Sequence, residues 1–213
     1  MSSNIQKYIA LTTGGDIRMT YSKSIYPDIT EWEDVPIEYN EFKHEVHHDG
    51  AKFVYNMDVD SVAAKRLADA EEEKKARALA NLISAVKASY NDQRDSSGVQ
   101  VSITSPATIN HKMTAFDRDA MVGLITLGTA AGRAATDVLT TDGFDFDDAP
   151  ATPITIQLAS ALSAAYQIAL NGLYQSKKRT VTALTAKTSP QASDLFIWGI
   201  TSDHLTQAGI STT

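Results

Sequence analysis

Apolar positions in this chain change their spacing twice, and each change marks a change of structure. Across residues 1–57 they come in short runs. Tyr8-Ile-Ala-Leu11 and Ile17-Arg-Met-Thr-Tyr21 flank Thr13-Gly14-Gly15-Asp16, and residues 41–48 and 52–57 bracket Asp49-Gly50. Glycine supplies the positive φ that tight turns need, so each pair of runs predicts a β-hairpin. Between them, Ile25-Tyr-Pro-Asp-Ile-Thr-Glu-Trp32 and Val35-Pro36 read as a loop carrying large apolar residues. Residues 1–57 are expected to be a small antiparallel β-module, near the lower size limit for independent stability.

The spacing then becomes helical. From Ala51 to Ser97 there is no glycine and no proline, and residues 58–90 predict one long helix. Leu67, Leu79, Leu82, Ile83, Val86 and Tyr90 recur at helical intervals. Glu71 with Lys75, and Glu73 with Arg77, set acid before base one turn apart. Between Asp69 and Arg77 no apolar residue exceeds alanine, so that part of the helix has little to bury. Residues 58–90 would span about 50 Å as a continuous helix. They predict a spacer or coiled coil, with Leu79, Leu82, Ile83, Val86 and Tyr90 meeting their copies in a homo-oligomer.

Residues 91–213 predict a mainly helical domain with short strands. Asn91-Asp-Gln-Arg-Asp-Ser-Ser-Gly98 reads as a polar stop, followed by alternating Val99, Val101 and Ile103 and a return segment with Ile109 and Met113. Thr114-Ala-Phe-Asp117 has the form of a capping box opening a helix to about Ala131. Asp142-Gly143 reads as a turn after Val138-Leu139. A second helix is expected from Thr155, with Leu158, Leu162, Ala165 and Ala169 on one face and Leu173, Val181 and Leu184 in phase. Leu195-Phe-Ile-Trp198 is a last apolar patch before a polar tail. The fold class expected is α+β.

Charge narrows the partners. The net charge is −7, from 26 acids against 19 Lys and Arg, which argues against binding driven by nucleic-acid phosphates. The predicted helix has six acids and six bases, and both flanks are acidic. There is no cysteine, so disulfides and thiolate metal sites are excluded. No secretory leader and no apolar run of membrane-spanning length is apparent, so a soluble protein made in the cytoplasm is expected.

The order of features across residues 62–198 resembles a known family. A charged, Ala-rich helix and a short strand precede Thr114-Ala-Phe-Asp117-Arg118-Asp119, which opens a helix. A Thr140-Thr-Asp-Gly143 turn and a β-like Pro153-Ile-Thr155 lead to an Ala/Leu helix with Tyr174 and Lys177, and Trp198 closes the pattern. This is similar to the domain of unknown function found at the C-terminus of many tailed-bacteriophage proteins encoded beside tail-fibre genes. The chain differs in an inserted Phe144-Asp-Phe-Asp-Asp-Ala149 and in Val138-Leu139 where the family has a Trp. The resemblance implies a tail-associated protein, located in the virion, with other tail proteins as partners and no known catalytic residues. A structural component of a tail fibre, fibre adaptor or baseplate periphery is expected, or else a fibre-assembly chaperone that does not remain in the particle.

Candidate chemistry adds little to that. His44-Glu45-Val46-His47-His48 matches H-E-x-x-H, but runs directly into Asp49-Gly50 in the first arm of a hairpin. Side chains four apart on a strand stand about 13 Å apart, too far to share a metal. Asp142, Asp145, Asp147 and Asp148 make an acidic loop without EF-hand spacing, leaving a bound cation or simple solvation open. Thr12-Thr-Gly-Gly15 lacks the Gly-Lys-Ser/Thr ending of a phosphate loop. Lys177-Lys178-Arg179 predicts a solvated face or a partner contact. Tyr21, Tyr26, Trp32, Tyr39 and Phe42 are more readily the few large side chains such a module buries than a sugar-binding surface, and a module so small is expected to complete its core by docking them against another protein. No catalytic, cofactor or metal residue is expected, and neither nucleic acid nor membrane is an expected partner.

Overall fold

The computed structural model describes residues 6–146 and 149–211, with the side chains of residues 141–151 left aside. The fold is α+β, built from small antiparallel sheets and several helices. Two compact units divide the chain, Met1–Glu73 and Lys74–Thr213.

In the first unit, β1 (Tyr8–Leu11) and β2 (Ile17–Thr20) pair as the Gly-Gly turn requires, with Gly15 at φ +86°. A two-residue strand, β3 (Glu33–Asp34), adds to the other edge of β1. It was expected to be loop, because two residues are too short to show an alternating pattern. The second hairpin joins β4 (Glu45–His48) to β5 (Phe53–Asn56), with Gly50 at φ +100°. Asp49 Oδ1 accepts the backbone N–H of Ala51 and of Lys52, both at 2.9 Å. Those two bonds hold the Asp49 carboxyl below the usual carboxylate range. Ile9, Val35, Tyr39 and Phe53 form the core, flanked by Ile17, Met19, Val46, Tyr55 and Met57.

The long helix, α1 (Val59–Asp95), is 37 residues long. Asp58 Oδ1 caps it, accepting from the N–H of Asp60 and Ser61 at 3.1 and 3.2 Å. It outlasts the expected end by five residues (Asp95 against Tyr90), because Asn91 to Asp95 are polar without being helix breakers. The stop is Gly98 at φ +79°, where a Cβ would lie 2.9 Å from the backbone carbon of Lys112. Residues 63–74 are all exposed, including Leu67, as the charge pattern predicts.

In the second unit, β6 (Val99–Ile103) pairs with β7 (Ile109–Met113). Then α2 (Ala115–Ala130) begins with both bonds of the capping box between Thr114 and Asp117 in place. β8 (Val138–Phe146) and β9 (Ala149–Thr155) form a third hairpin. Asp142-Gly143 is not its turn: the backbone is strand there, and the pairing steps from Thr140↔Ile154 to Phe144↔Thr152. Four residues advance on β8 for two on β9, so the Asp-Gly pair is absorbed in an irregular stretch. Pro150 and Pro153 sit within β9, which a two-stranded sheet tolerates because each strand is an edge. After it come α3 (Ile156–Thr185), capped by the Thr155 side chain, α4 (Ala192–Trp198) and α5 (Ser202–Gln207).

Two cores lie along α3. One gathers Tyr90, Val99, Val101, Ile109, Met113, Met121 and Ile154 against Leu158, Leu162, Tyr166 and Leu173. The other joins Val86 and Leu184 to Ile200, Leu205, Ala208 and Ile210, with Leu79, Leu82 and Ile83 packed on it. Two expectations change here. Leu79, Leu82, Ile83, Val86 and Tyr90 find partners inside the chain, so they do not form a bare seam for a second copy. The tail taken as polar carries Leu205, Ala208 and Ile210, which cover that face of α1. Their spacing is too short and interrupted to show as a helical pattern.

Trp198 packs on both cores, and its Nε1 donates to the buried Ser176 hydroxyl at 3.0 Å. Beside it Arg179 Nε and Nη2 donate to the fully buried Asp194 carboxylate at 3.0 and 2.7 Å. The hydrogen bonds from Arg179 hold the Asp194 carboxyl below its ordinary range, against the opposing effect of burial. A depressed carboxyl stabilises the fold at every pH above the unfolded value of about 3.9 and loses that stabilisation as pH falls through its native value.

Asp194→Ala is expected to cost about 2 kcal/mol, less than a fully buried pair because Arg179 can turn to water. In urea titrations the gap between wild type and Asp194→Asn should close between about pH 5 and about pH 2, and a gap constant with pH would contradict this pairing. The cores also set where the chain can be cut. A fragment starting at Lys74 should unfold cooperatively, whereas one starting at Asp92 loses Val86 and Tyr90 and should not. Equal calorimetric transitions from both fragments would overturn the shared-core assignment.

Candidate functional site

The first unit gathers most of the features expected of a docking surface. Its core holds few residues, and much of its large apolar surface stays in contact with water. Phe42 is 80% exposed, Ile37 67%, Ile25 63% and Tyr21 56%. Of the five predicted docking aromatics, Tyr39 is the exception. It is buried, meeting the Tyr55 ring edge-on at 5.4 Å and His44 at 5.8 Å, so it serves the core. Burial pushes the hydroxyls of Tyr39 and Tyr55 above the ordinary phenol range. Tyr26 and Trp32 are half-buried and form a tilted pair 6.2 Å apart, with Trp32 Nε1 donating to the Ile29 carbonyl at 2.9 Å.

Those two rings border two adjoining hollows. Tyr26, Ile25, Arg18, Asp28 and Glu31 line one of about 620 Å³; Trp32, Glu33, His48 and Phe53 line one of about 650 Å³. Leu11, Thr30 and Glu31 border both. The result is an open pair of hollows of mixed lining, with Leu11, Ile25, Tyr26, Trp32 and Phe53 set among the charged Arg18, Asp28, Glu31 and Glu33.

The edge carrying Phe42 is fixed by a residue that the sequence pattern did not single out. Arg66, on α1, donates to the carbonyls of Phe42, of Glu41 at 3.2 Å and of His44 at 2.9 Å. Glu45 joins the same anchor, with Lys65 Nζ at 2.8 Å and Arg66 Nε at 3.9 Å. Local sequence gives no sign of this anchor, because its partners lie about twenty residues earlier in the chain.

This arrangement also accounts for the H-E-x-x-H motif. Glu45 to His48 are extended in β4, and Glu45 is engaged with Lys65. His44 Nδ1 accepts from the backbone N–H of Asn40 at 3.0 Å, and His48 Nδ1 from that of Gly50 at 3.2 Å. Among the described residues no three His, Cys, Asp or Glu side chains are placed to share a metal ion. The Asp142–Asp148 loop falls outside the described side chains. No helix among the described residues is long and apolar enough to cross a membrane.

The basic run splits between two roles. Arg179 turns inward to Asp194. Lys177 and Lys178 instead face a separate cleft in the second unit. The chain matches no family model, no curated protein and no solved structure. The likeness to the phage tail-associated domain therefore rests on its motifs alone.

The histidine geometry makes a direct prediction. Thermal unfolding in EDTA should superimpose on that in buffer, because the motif is extended and the Nδ1 atoms of His44 and His48 are taken by backbone N–H groups. A fall in Tm that zinc reverses would overturn the strand assignment of the motif's role.

Proposed function

We propose that this protein is a structural component of a bacteriophage tail, in a fibre, fibre adaptor or baseplate periphery. In this reading it is made in the host cytoplasm and retained in the virion. The motif order in residues 62–198 supplies the phage context. The observation that carries the docking role is the imbalance within the first unit, where six buried apolar residues, four of them clustered as its core, support a surface bearing Tyr21, Ile25, Ile37 and Phe42. A small module leaving that much apolar surface bare gains by completing its core against another protein. The second unit has two cores of its own and needs no such help.

Homo-oligomerisation remains part of this reading, but through a surface other than residues 79–90. Phe116 and Leu127 on α2 and Ile168 on α3 are each more than 70% exposed, and they offer apolar surface for such contacts.

Mass spectrometry of purified particles of the phage that encodes the chain is the direct test. A tail component appears in stoichiometric amount, while presence in the infected lysate but not in particles would point to the assembly chaperone instead. The paired change Ile37→Ser and Phe42→Ser should cut incorporation at least about tenfold while leaving Tm nearly unchanged, since both side chains are exposed. Undiminished incorporation would remove the first unit from the docking role.

A further inference from the structure

The second unit contains a cleft of about 360 Å³ between α1 and α3, lined by Lys87, Asn91, Tyr174, Lys177, Lys178 and Thr182, with Val181 at its wall. Its composition is unusual for this chain. Three lysines line it, no carboxylate does, and the protein as a whole carries −7. Some cations elsewhere are matched with acids: Lys7 with Glu41, Lys65 with Glu45, Arg94 with Asp95, Arg118 with Asp119, and Arg179 with Asp194. Among the described residues none of the three lysines of the cleft stands in an ion pair. Arg179 makes the contrast sharp, since it follows Lys178 directly and is neutralised by a buried aspartate.

One of the three is also held in place. Lys177 is half-buried, its Nζ 3.8 Å from the centre of the Tyr90 ring and 4.7 Å from that of Tyr174. The two rings meet edge-on at 6.1 Å, and Tyr90 is itself fixed in the core. A cation held over two π faces loses much of its freedom, so it meets a ligand already oriented. Lys87 and Lys178 bring two further charges from the two helices that form the walls. The Asn91 amide and the Thr182 hydroxyl add neutral hydrogen-bonding groups.

We propose that this cleft binds an oxyanion, a phosphate or carboxylate group carried on a small polyhydroxylated ligand such as a sugar. The three lysines take the charged group, Asn91 and Thr182 take neighbouring hydroxyls, and Tyr174 offers an apolar flank. Lysine suits this task because its ammonium is a point charge that does not demand the planar, two-pronged geometry of a guanidinium. Like charges gathered without an anion repel one another, so an empty cleft is held at some cost and an anion relieves it.

The test uses the full chain, with chemical shifts read by NMR and affinities by calorimetry. Inorganic phosphate, glucose 6-phosphate and glucuronate should each shift the signals of Lys177, Asn91 and Thr182, with the anionic sugars binding at least about threefold more tightly than phosphate. Glucose alone should not bind. The double change Lys87→Ala and Lys178→Ala, which leaves Lys177 and both tyrosines in place, should weaken glucose 6-phosphate at least about tenfold. The same variant should melt no lower than the native chain in anion-free buffer, because it relieves repulsion. Unchanged affinity in that variant, or glucose binding as well as its phosphate, would overturn the proposal. So would sugar phosphate binding no better than phosphate, or duplex DNA binding more tightly than either.

Discussion

One continuous buried stripe on α3 organises the whole second unit. Leu158, Leu162, Tyr166, Leu173, Ser176, Thr180 and Leu184 lie at helical spacing and are all buried. The upper part packs β6, β7 and α2, and the lower part packs α1 and the C-terminal helices. Because the two cores share one helix, neither can loosen without disturbing the other. Trp198 reinforces that union from outside the helix by touching both. Gly128 belongs to the same constraint. A Cβ there would come within 2.8 Å of Leu139 Cδ2 and 2.9 Å of Ile156 Cδ1, so a side chain at that point would have to displace the ends of both.

Most of the elements were legible in the sequence because their signals are local. Gly14-Gly15, Asp49-Gly50, the Thr114–Asp117 box and the periodicity from Leu158 each involve residues within a few positions of one another. What failed to show was set by distant parts of the chain. Nothing near Leu79 or Val86 announces that residues 200–210 will cover them, and a partner copy was the natural inference from an apolar face alone. The Asp142-Gly143 pair misled for the opposite reason, since a strong local turn preference was outweighed by hairpin pairing that carried the strand through it.

The candidate sites divide in the same way. Residue types were visible, but not their company. Tyr39 and Phe42 look alike in sequence, yet one is core and the other is exposed. Lys177, Lys178 and Arg179 read as one basic run, although a buried aspartate on a later helix claims the third and leaves the first two to another surface. Lys87 stands 90 residues before Lys177 and joins it only through the packing of α1 against α3.

The covering of α1 by the C-terminal segment has a consequence for the order in which the protein is made. Val86 packs with Leu205, Ala208 and Ile210, contacts that join chain positions well over a hundred residues apart. Contacts of that separation close large loops and form late. The first unit draws only on residues up to Glu73 and can take shape as soon as they leave the ribosome. The lower face of α1 must wait through the synthesis of everything between. During that interval Leu79, Leu82, Ile83 and Val86 form a bare apolar face on a nascent helix. Its charged first half, with acids and bases in equal reach, is then the part of the molecule that keeps it in solution.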